Sequence, residues 1–394
     1  MHSEDRILVT HVGSLVRPPE LVSWLLKEQA GEAIDETEFE TVLANAVRDV
    51  VRRQVEAGID LVSDGEYGKT MSWSRYILDR LEGMEERPST TGVVSAIAGK
   101  DRADFKEFYE EYEASQGVAG LGKEARSFGV WTITGPISYK AKACNRDIDH
   151  LKAAVSETGG VTGFLPVVAP ASVAPDRIDE YYDSEEEGLF AIADALHEEY
   201  KAIIDAGLVL QVDDAYMATT YDVMVPPKSV AEYLKWAELR VAALNRALDG
   251  LPEERIRYHM CWGSWNAPHT NDMALRDIVD LLLTVKAGCY SLEQANPRHE
   301  HEWQVWKDVK LPDGKVLLPG LITHSTNVVE HPELVSERIV RLAKLVGREN
   351  VIASTDCGFA QGPFTRRVHP SIMWAKLESL AEGARLASKE LWGK

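Results

Sequence analysis

The stretch from Arg255 to Asp272 places a histidine and a cysteine two positions apart at the end of a short apolar run. A strand turns successive side chains to opposite faces, so His259 and Cys261 point the same way and Met260 points the other. An imidazole and a thiol on one face are good ligands for zinc. The same pair fits a hydrogen-bonded core histidine beside a buried thiol, so the pair alone leaves both interpretations open.

Polar side chains follow nearly every apolar, β-branched run of the chain. They are His11 and Ser14, Asp64 and Glu66, Asp213 and Asp214, His259 and Cys261, Glu293 and Asn296, His324 and Asn327, and Asp356 and Cys357. In a β/α barrel the carboxyl ends of the strands form the active-site face, so these scattered residues would converge on one cavity. Capping of loops and helices explains Ser, Asn and Asp at such places but explains His, Cys and Glu poorly.

Four strand-end residues combine into a candidate set of metal ligands, namely His259, Cys261, Glu293 and Cys357. Zinc favours four such ligands, whereas thiolates disfavour magnesium and calcium. We therefore expect Zn²⁺ as the cofactor. Coordination deprotonates a thiol that is otherwise mostly protonated near neutral pH, so such a site activates a thiol as a nucleophile.

The elements that would position these residues alternate between short apolar runs and amphipathic helices, which is typical of a parallel α/β fold. Nine candidate strands cover 7–14, 59–66, 130–136, 163–170, 208–215, 256–263, 289–296, 317–325 and 350–358. Candidate helices cover 38–57, 186–206, 230–248, 275–286, 333–346 and 371–388. An eight-stranded barrel needs one strand fewer, and we expect the extra run to be the one near the N-terminus or 163–170.

Composition limits the class of protein. The 394 residues are 45% hydrophobic and 27% charged, with a formal net charge of −20, which argues against a nucleic-acid partner. The first residues lack a secretory signal and no apolar run is long enough to span a membrane, so we expect a cytoplasmic protein without a membrane partner.

We expect one barrel domain over 1–394 with a helical insertion around 101–125. The sequence leaves oligomer formation open.

Six motifs in one order along the chain resemble the cobalamin-independent methionine synthase family, in particular its short form with only the C-terminal catalytic barrel. They are "HVGSLVRP", "LVSDGEYGK", "LQVDDAY", "HMC", "CYSLE" and "STDCGF". The resemblance implies an α/β fold of the (β/α)8 TIM barrel class, of the uroporphyrinogen decarboxylase/methionine synthase type. It also implies zinc on the four ligands named above and methyl transfer to homocysteine, a step of methionine biosynthesis.

The resemblance further assigns roles to single residues. His324 in "LITHSTN" matches the histidine that transfers a proton near the reacting centre, which suits an imidazole. Gly13 and Ser14 match the turn that meets the homocysteine carboxylate, while Glu66 and Asp213 match the acids that hold its ammonium. The chain departs from the family at "QVDDAY", where Asp214 replaces a glutamate. Two acids remain in place, so Asp213 and Asp214 are both expected to bind substrate, but the identity of the thiol stays open between homocysteine, coenzyme M and another.

The short form, especially "CWG" followed by "PH", is also similar to the epoxyalkane:coenzyme M transferases, which open an epoxide with a thiolate. A sulfonate thiol needs cations, and the chain offers Arg17, Lys69, Arg75, Arg366 and Arg367. Further candidates for lining the substrate cavity are His11, Arg17, Trp262, Trp265 and Asn327.

The sequence leaves the alkyl donor open between methylfolate, methylcobalamin and an epoxide. The class of protein also stays open, since a metal-free decarboxylase-like barrel and a non-catalytic zinc-binding accessory protein would have similar strand and helix patterns. His269, His299 and His301 lie in longer loops and are expected to be solvated or to line the substrate site.

Overall fold

The computed structural model describes residues 1–88, 98–117 and 129–393. Its strands are β1 (Leu8–Val9), β2 (Leu61–Val62), β3 (Leu81–Arg87), β4 (Val130–Tyr139), β5 (Thr162–Val168), β6 (Ile178–Asp179), β7 (Val209–Asp213), β8 (Ile256–Met260), β9 (Cys289–Leu292), β10 (Val316–Ile322) and β11 (Ile352–Thr355). Eight of them form one sheet in the order β1-β11-β10-β9-β8-β7-β5-β2, and every pairing in it is parallel.

The two ends of this sheet meet, so the sheet curls into a barrel. The backbone N–H of Asp60 donates to the carbonyl of Val9 at 2.9 Å, and the Thr10 hydroxyl donates to the carbonyl of Leu61 at 3.0 Å. These bonds join the β1 side to the β2 side. The α/β barrel class expected from the sequence is thereby confirmed.

Helices surround the barrel and supply its outer layer. They are α1 (Pro19–Gln29), α2 (Glu36–Glu56), α3 (Lys100–Asp104), α4 (Lys106–Gln116), α5 (Lys142–Ser156), α6 (Glu185–Asp205), α7 (Ala215–Met224), α8 (Val230–Ala247), α9 (Leu275–Leu282), α10 (Pro332–Val346) and α11 (Pro370–Trp392). All six predicted helices are present, whereas α1, α5 and α7 were not predicted. None of the helices within the described ranges has the length and apolar character needed to cross a membrane.

The expectation about the ninth strand was wrong. Both β1 and β5 belong to the barrel, and the run at 130–136 instead forms part of β4 in a separate three-stranded sheet with β3 and β6. The physical difference lies in burial: after its first residue, β5 is buried throughout, whereas β4 alternates between covered and exposed residues. A barrel strand is covered on both faces, so alternation was the feature that separated the two.

The predicted insertion contains α3 and α4, which cover nearly all of 101–116. Residues 118–125 of the predicted insertion lie outside the described residues. The helices lie near the carboxyl ends of the barrel strands, since the Asp101 carboxylate accepts hydrogen bonds from the backbone N–H groups of His269 and Thr270, in the loop after β8.

A buried ion cluster ties the three-stranded sheet to the helical layer. Arg80, just before β3, donates to Asp147 of α5 at 2.5 Å and to Glu199 of α6 at 2.8 Å, and all three side chains are almost wholly buried. Removal of Arg80 would leave the buried Glu199 carboxylate with hydroxyl donors but without its cation, while Asp147 would keep Arg146 at 2.9 Å.

We predict that Arg80→Leu lowers the free energy of unfolding by about 3 to 5 kcal/mol, because it breaks a buried ion pair from one side. The matched control is Arg87→Leu, since Arg87 pairs with Glu85 and Glu180 at the surface, where ion pairs add little to stability, and its loss should cost much less. Urea denaturation measures both values. Equal losses in the two variants would show that the cluster does not hold the sheet to the helical layer.

Candidate metal centre

Three of the four predicted metal ligands meet at the carboxyl end of the barrel. His259 lies near the end of β8, Cys261 follows the same strand, and Cys357 follows β11. One ligand atom from each residue lies within 4.8 Å of the others, and all three residues are buried. The strand-end positions therefore converge as the period-2 argument requires.

The dimensions of this trio fit a tetrahedral zinc ion. The Sγ atoms of Cys261 and Cys357 are 3.8 Å apart, and two sulfurs on a tetrahedral zinc, each at about 2.3 Å, are separated by about 3.8 Å. Nδ1 of His259 pairs with the Ser291 hydroxyl at 3.1 Å, whereas its Nε2 has no hydrogen-bond partner among the described residues. An imidazole fixed through one nitrogen and open at the other is typical of a metal-ligating histidine.

The buried environment of the trio keeps two of its groups neutral when no metal is bound. The hydrogen bond with the Cys261 thiol, followed by burial, raises the pKa of Cys357 well above its ordinary value. Burial, with a contribution from Arg257, lowers the pKa of His259 to about 3. The Cys357 thiol and the His259 imidazole are thus neutral near pH 7, and a bound dication would favour the thiolate form.

The fourth predicted ligand, Glu293, lies next to the trio but outside it. Its Oε1 accepts a hydrogen bond from the backbone N–H of Trp262 at 3.3 Å, and its Oε2 accepts one from Nδ2 of Asn296 at 2.6 Å. Burial, followed by the charges of Asp356 and Cys357, raises the pKa of Glu293 well above its ordinary value. Both carboxylate oxygens are thus satisfied by the protein itself.

His324, the predicted proton-transfer residue, follows β10 and is buried. Its Nε2 pairs with the carbonyl of Ser264 at 3.2 Å, and its Nδ1 has no partner in the part of the chain that the structure describes. Burial, followed by the charge of Arg367, lowers its pKa to about 3. The imidazole is therefore neutral near pH 7 and has one free nitrogen.

The predicted carboxylate-binding turn packs directly against the Cys357 loop. The carbonyl of Ser14 accepts a hydrogen bond from the backbone N–H of Phe359 at 2.9 Å. A Cβ atom at Gly358 would collide with the Ser14 hydroxyl, and one at Gly13 would collide with Pro166. Glycine at both positions is what allows the turn to approach the candidate metal centre.

The predicted ammonium-binding acids separate into two environments. Asp213 accepts a hydrogen bond from Nε2 of Gln211 at 2.8 Å, and burial, followed by the charge of Glu66, raises its pKa well above the ordinary value. Asp214 instead receives the Ser172 hydroxyl at 2.8 Å and the Tyr258 hydroxyl at 3.2 Å. Asp213 ends β7 and Asp214 precedes α7, and the two side chains have different partners. Both oxygens of Asp214 are occupied within the protein.

Glu66 adopts a left-handed backbone conformation with φ of 62° in the loop after β2. Its Oε2 lies 3.3 Å from Nζ of Lys69, and both side chains are buried. Arg17, a predicted lining residue, is buried beside them and donates from Nη2 to the carbonyls of Glu66 at 2.5 Å and Lys69 at 3.1 Å.

The remaining predicted lining residues differ in their surroundings. Both ring nitrogens of His11 are engaged, with Gln54 Oε1 at 2.7 Å and the backbone N–H of Gly13 at 3.1 Å, so His11 braces the turn. Asn327 is exposed to solvent. Trp265 is partly buried, and its indole N–H donates to the Tyr109 hydroxyl of α4 at 3.4 Å.

Trp262 is buried against His299, for which the sequence analysis predicted different surroundings. Its indole ring stacks on His299 with ring centroids 4.0 Å apart. His299 was expected to be solvated or substrate-lining; it is instead buried between the carboxylates of Asp272 and Glu302, at 3.0 and 2.9 Å. The loop spacing gave no sign of this network, because Asp272 comes from a different loop.

The fold and the site together define an α/β barrel with a candidate soft-metal centre at the carboxyl ends of its strands. A family model described as "Cobalamin-independent synthase, Catalytic domain" matches residues 134–372, which is more than half of the chain. The chain therefore belongs to the cobalamin-independent synthase family, as the sequence motifs indicated.

The relatives that align over most of this chain include proteins with two different named activities. A methionine synthase of Sulfolobus acidocaldarius is 23% identical and aligns over 99% of this chain and 95% of its own. A 2-hydroxypropyl-CoM lyase of Xanthobacter autotrophicus is 22% identical over 89% of this chain and 86% of its own. A solved B12-independent methionine synthase from Shewanella sp. W3-18-1, in complex with selenomethionine, shares the fold with a TM-score of 0.72 at 20% identity, covering 99% of this chain and 100% of that one.

The His299 network gives a pH-dependent contribution to stability. Burial lowers the pKa of His299, but the hydrogen bonds to Asp272 and Glu302 outweigh this effect and raise it from 6.5 to about 9. A raised histidine pKa stabilises the folded state fully below the unfolded value and loses that contribution as the pH rises through about 9.

We therefore predict that His299→Gln costs most below about pH 6.5, and that the difference from the unchanged protein shrinks by up to about 3 kcal/mol by pH 10. Urea unfolding at several pH values measures this difference. His301→Gln is the control, since His301 is exposed. A difference that is constant across the pH range would contradict the charged-histidine account.

Proposed function

We propose that this protein is a zinc-dependent enzyme that transfers a methyl or other alkyl group to a small thiol, with homocysteine as the first acceptor to test. The observation that carries the proposal is the buried trio of His259, Cys261 and Cys357, whose sulfur separation and open imidazole nitrogen suit tetrahedral zinc. Glu293 is the proposed fourth ligand. We also propose that the chain acts as one catalytic barrel domain.

Zinc held by these residues would keep the incoming thiol in its reactive thiolate form at neutral pH. The protein groups have separate tasks. The turn at Gly13 and Ser14 would meet the carboxylate or sulfonate of the thiol. Asp213 and Glu66 would lie near an ammonium group, where the thiol carries one. We assign Asp214 to positioning, because Ser172 and Tyr258 already occupy its carboxylate.

His324 is the proposed proton-transfer residue. It is buried, so the proton that it exchanges goes to the substrate rather than to bulk water. Ser264 fixes one ring nitrogen and leaves Nδ1 for the reacting group. A neutral imidazole near pH 7 would accept the proton that the thiol releases and later donate it to the leaving group of the alkyl donor.

A second candidate function is epoxide opening by a thiolate; the relative from Xanthobacter autotrophicus is named a 2-hydroxypropyl-CoM lyase. The buried cations Arg17 and Lys69 beside the Ser14 turn favour it, since a sulfonate thiol needs positive charge. The two functions share the acceptor chemistry and differ in the donor.

We predict that the purified protein binds about one zinc ion per chain and that Cys357→Ala weakens zinc affinity by at least about 100-fold, because it removes a ligand rather than an outer partner. Zinc content and chelator competition measure this change. Cys289→Ala is the matched control, because Cys289 is a buried thiol outside the trio. Activity is measured as the consumption of free thiol. Each of the two thiols, homocysteine and coenzyme M, is combined with each of three donors: methylfolate, methylcobalamin and a small epoxide.

The outcomes separate the candidate functions. A metal-free protein, or equal zinc loss in both cysteine variants, would remove the zinc proposal and favour a decarboxylase-like barrel. Stable zinc without turnover of any thiol and donor pair would leave a non-catalytic zinc-binding protein.

We further predict that His324→Gln lowers kcat by about 10²- to 10⁴-fold while zinc content and thiol affinity stay within about twofold, since a general acid or base acts on the reaction step. Steady-state kinetics and calorimetric thiol binding measure the two effects, with His301→Gln as the exposed control. Loss of zinc from His324→Gln would instead assign His324 to the metal centre.

A further inference from the structure

The loop after β2 carries its own ammonium group at the position where the proposed ammonium site lies. Nζ of Lys69 is 3.3 Å from Oε2 of Glu66, and the two side chains are only 7% and 4% exposed. The same ammonium lies 4.4 Å from the centroid of the Tyr76 ring. Glu66 is therefore already paired with a cation of the protein before any substrate arrives.

Arg17 brings a second cation to the same place with unused hydrogen-bond donors. Its Nη2 donates to the carbonyls of Glu66 and Lys69, which holds the guanidinium against this loop. Its Nε and Nη1 have no acceptor among the described residues, although the residue is only 5% exposed. Buried charged donors without an acceptor are costly, so this group is suited to receive an anion.

The two cations lie beside the proposed thiol site. Oε1 of Glu66 is 3.3 Å from the position that a Cβ at Gly13 would occupy. The next residue, Ser14, packs on Gly358 and bonds to Phe359, directly after Cys357. A small thiol with its sulfur at the metal centre would therefore point its other end toward this loop.

The acids nearby do not cancel both cations. Lys69 is matched by Glu66, and Asp64, whose Oδ1 accepts the backbone N–H of Glu66, has its pKa raised to about 7 by burial and then by the charge of Asp147. At neutral pH Asp64 is thus only partly charged. Asp213 also faces Lys69 and Glu66, and burial keeps its pKa well above the ordinary value. Glu66 is thus shared between Lys69 and Arg17, and Arg17 keeps two donors without an acceptor among the described residues.

We propose that the thiol acceptor is recognised by an anionic group, a carboxylate or a sulfonate, that binds at Arg17, and that an α-ammonium adds little because Lys69 already neutralises Glu66. This inference rests on the proposed thiol alkyl transfer and specifies which end of the thiol is selected. Homocysteine fits through its carboxylate, and thiols without an amine fit equally well.

Four thiols test this selection in the zinc-loaded protein. Homocysteine carries both charges, 4-mercaptobutanoate lacks the amine, 3-aminopropane-1-thiol lacks the carboxylate, and 2-mercaptoethanesulfonate replaces the carboxylate with a sulfonate. Calorimetry gives the affinities, and the cobalt-substituted protein reports sulfur binding through its absorption spectrum. We expect homocysteine and 4-mercaptobutanoate to agree within about threefold and the amine thiol to bind at least about tenfold more weakly.

The ratio of the affinities for 2-mercaptoethanesulfonate and 4-mercaptobutanoate then identifies which anion the site prefers. A preference for either anion supports the proposal. Homocysteine that binds more than about tenfold tighter than 4-mercaptobutanoate would overturn it, because the ammonium would then carry the recognition. Equal affinity for the amine thiol and the anionic thiols would overturn it as well.

Variants of the two cations give an independent test. Arg17→Gln should weaken the anionic thiols by about 10- to 100-fold and leave 3-aminopropane-1-thiol within about threefold. Lys69→Met should uncover Glu66 and raise the affinity for homocysteine relative to 4-mercaptobutanoate. Arg52→Gln is the matched control, since Arg52 lies exposed on α2.

Circular dichroism and zinc content establish that each variant is folded. If Arg17→Gln does not fold, the thiol series and Lys69→Met decide. In Lys69→Met, an unchanged ratio of the affinities for homocysteine and 4-mercaptobutanoate would overturn the inference. Absence of binding by every thiol would overturn the proposed function itself, whereas binding without regard to charge would overturn only this inference.

Discussion

The approach of two buried thiols to 3.8 Å, with an open imidazole nitrogen beside them, is the contact on which the candidate site depends. Left without a cation, this arrangement leaves His259 with a buried ring nitrogen that has no partner among the described residues. A metal ion would remove this penalty and would also favour the thiolate forms of the two cysteines. The trio is thus better explained as a ligand set than as a core contact.

The barrel supplies the geometry that this contact requires. β8 and β11 are not neighbours in the sheet, since β9 and β10 lie between them, so the two thiols meet over the strand ends and not along a shared edge. Ser291 of β9 orients the imidazole from the intervening strand. Residues on or directly after β8, β9 and β11 therefore position the three side chains of the trio, which gives the rigidity that a metal site needs.

Strand-end chemistry was predictable because it follows from local rules, whereas the errors arose where the outcome depends on contacts between distant segments. A period of two places His259 and Cys261 on one face, and parallel strands bring their carboxyl ends together with Cys357.

The 130–136 run has the composition of a barrel strand but lies against β3, and only burial on both faces could have excluded it from the barrel. His299 was misplaced because its partner Asp272 belongs to another loop. Likewise, the motif around Glu66 identified an acid but did not reveal that Lys69 folds back onto it.

The position of Glu293 fits the proposed exchange of this carboxylate for an incoming thiol. A structural zinc site is closed by four protein ligands, whereas a catalytic site keeps one position for substrate. Glu293 has hydrogen bonds from Trp262 and Asn296 available when it lies outside the trio, so its carboxylate does not become an unsatisfied buried group there. Trp262 in turn is braced by His299, which is held by two carboxylates. The alternative contacts of Glu293 are therefore themselves rigid, and this lowers the cost of giving up its proposed metal position to an arriving thiol.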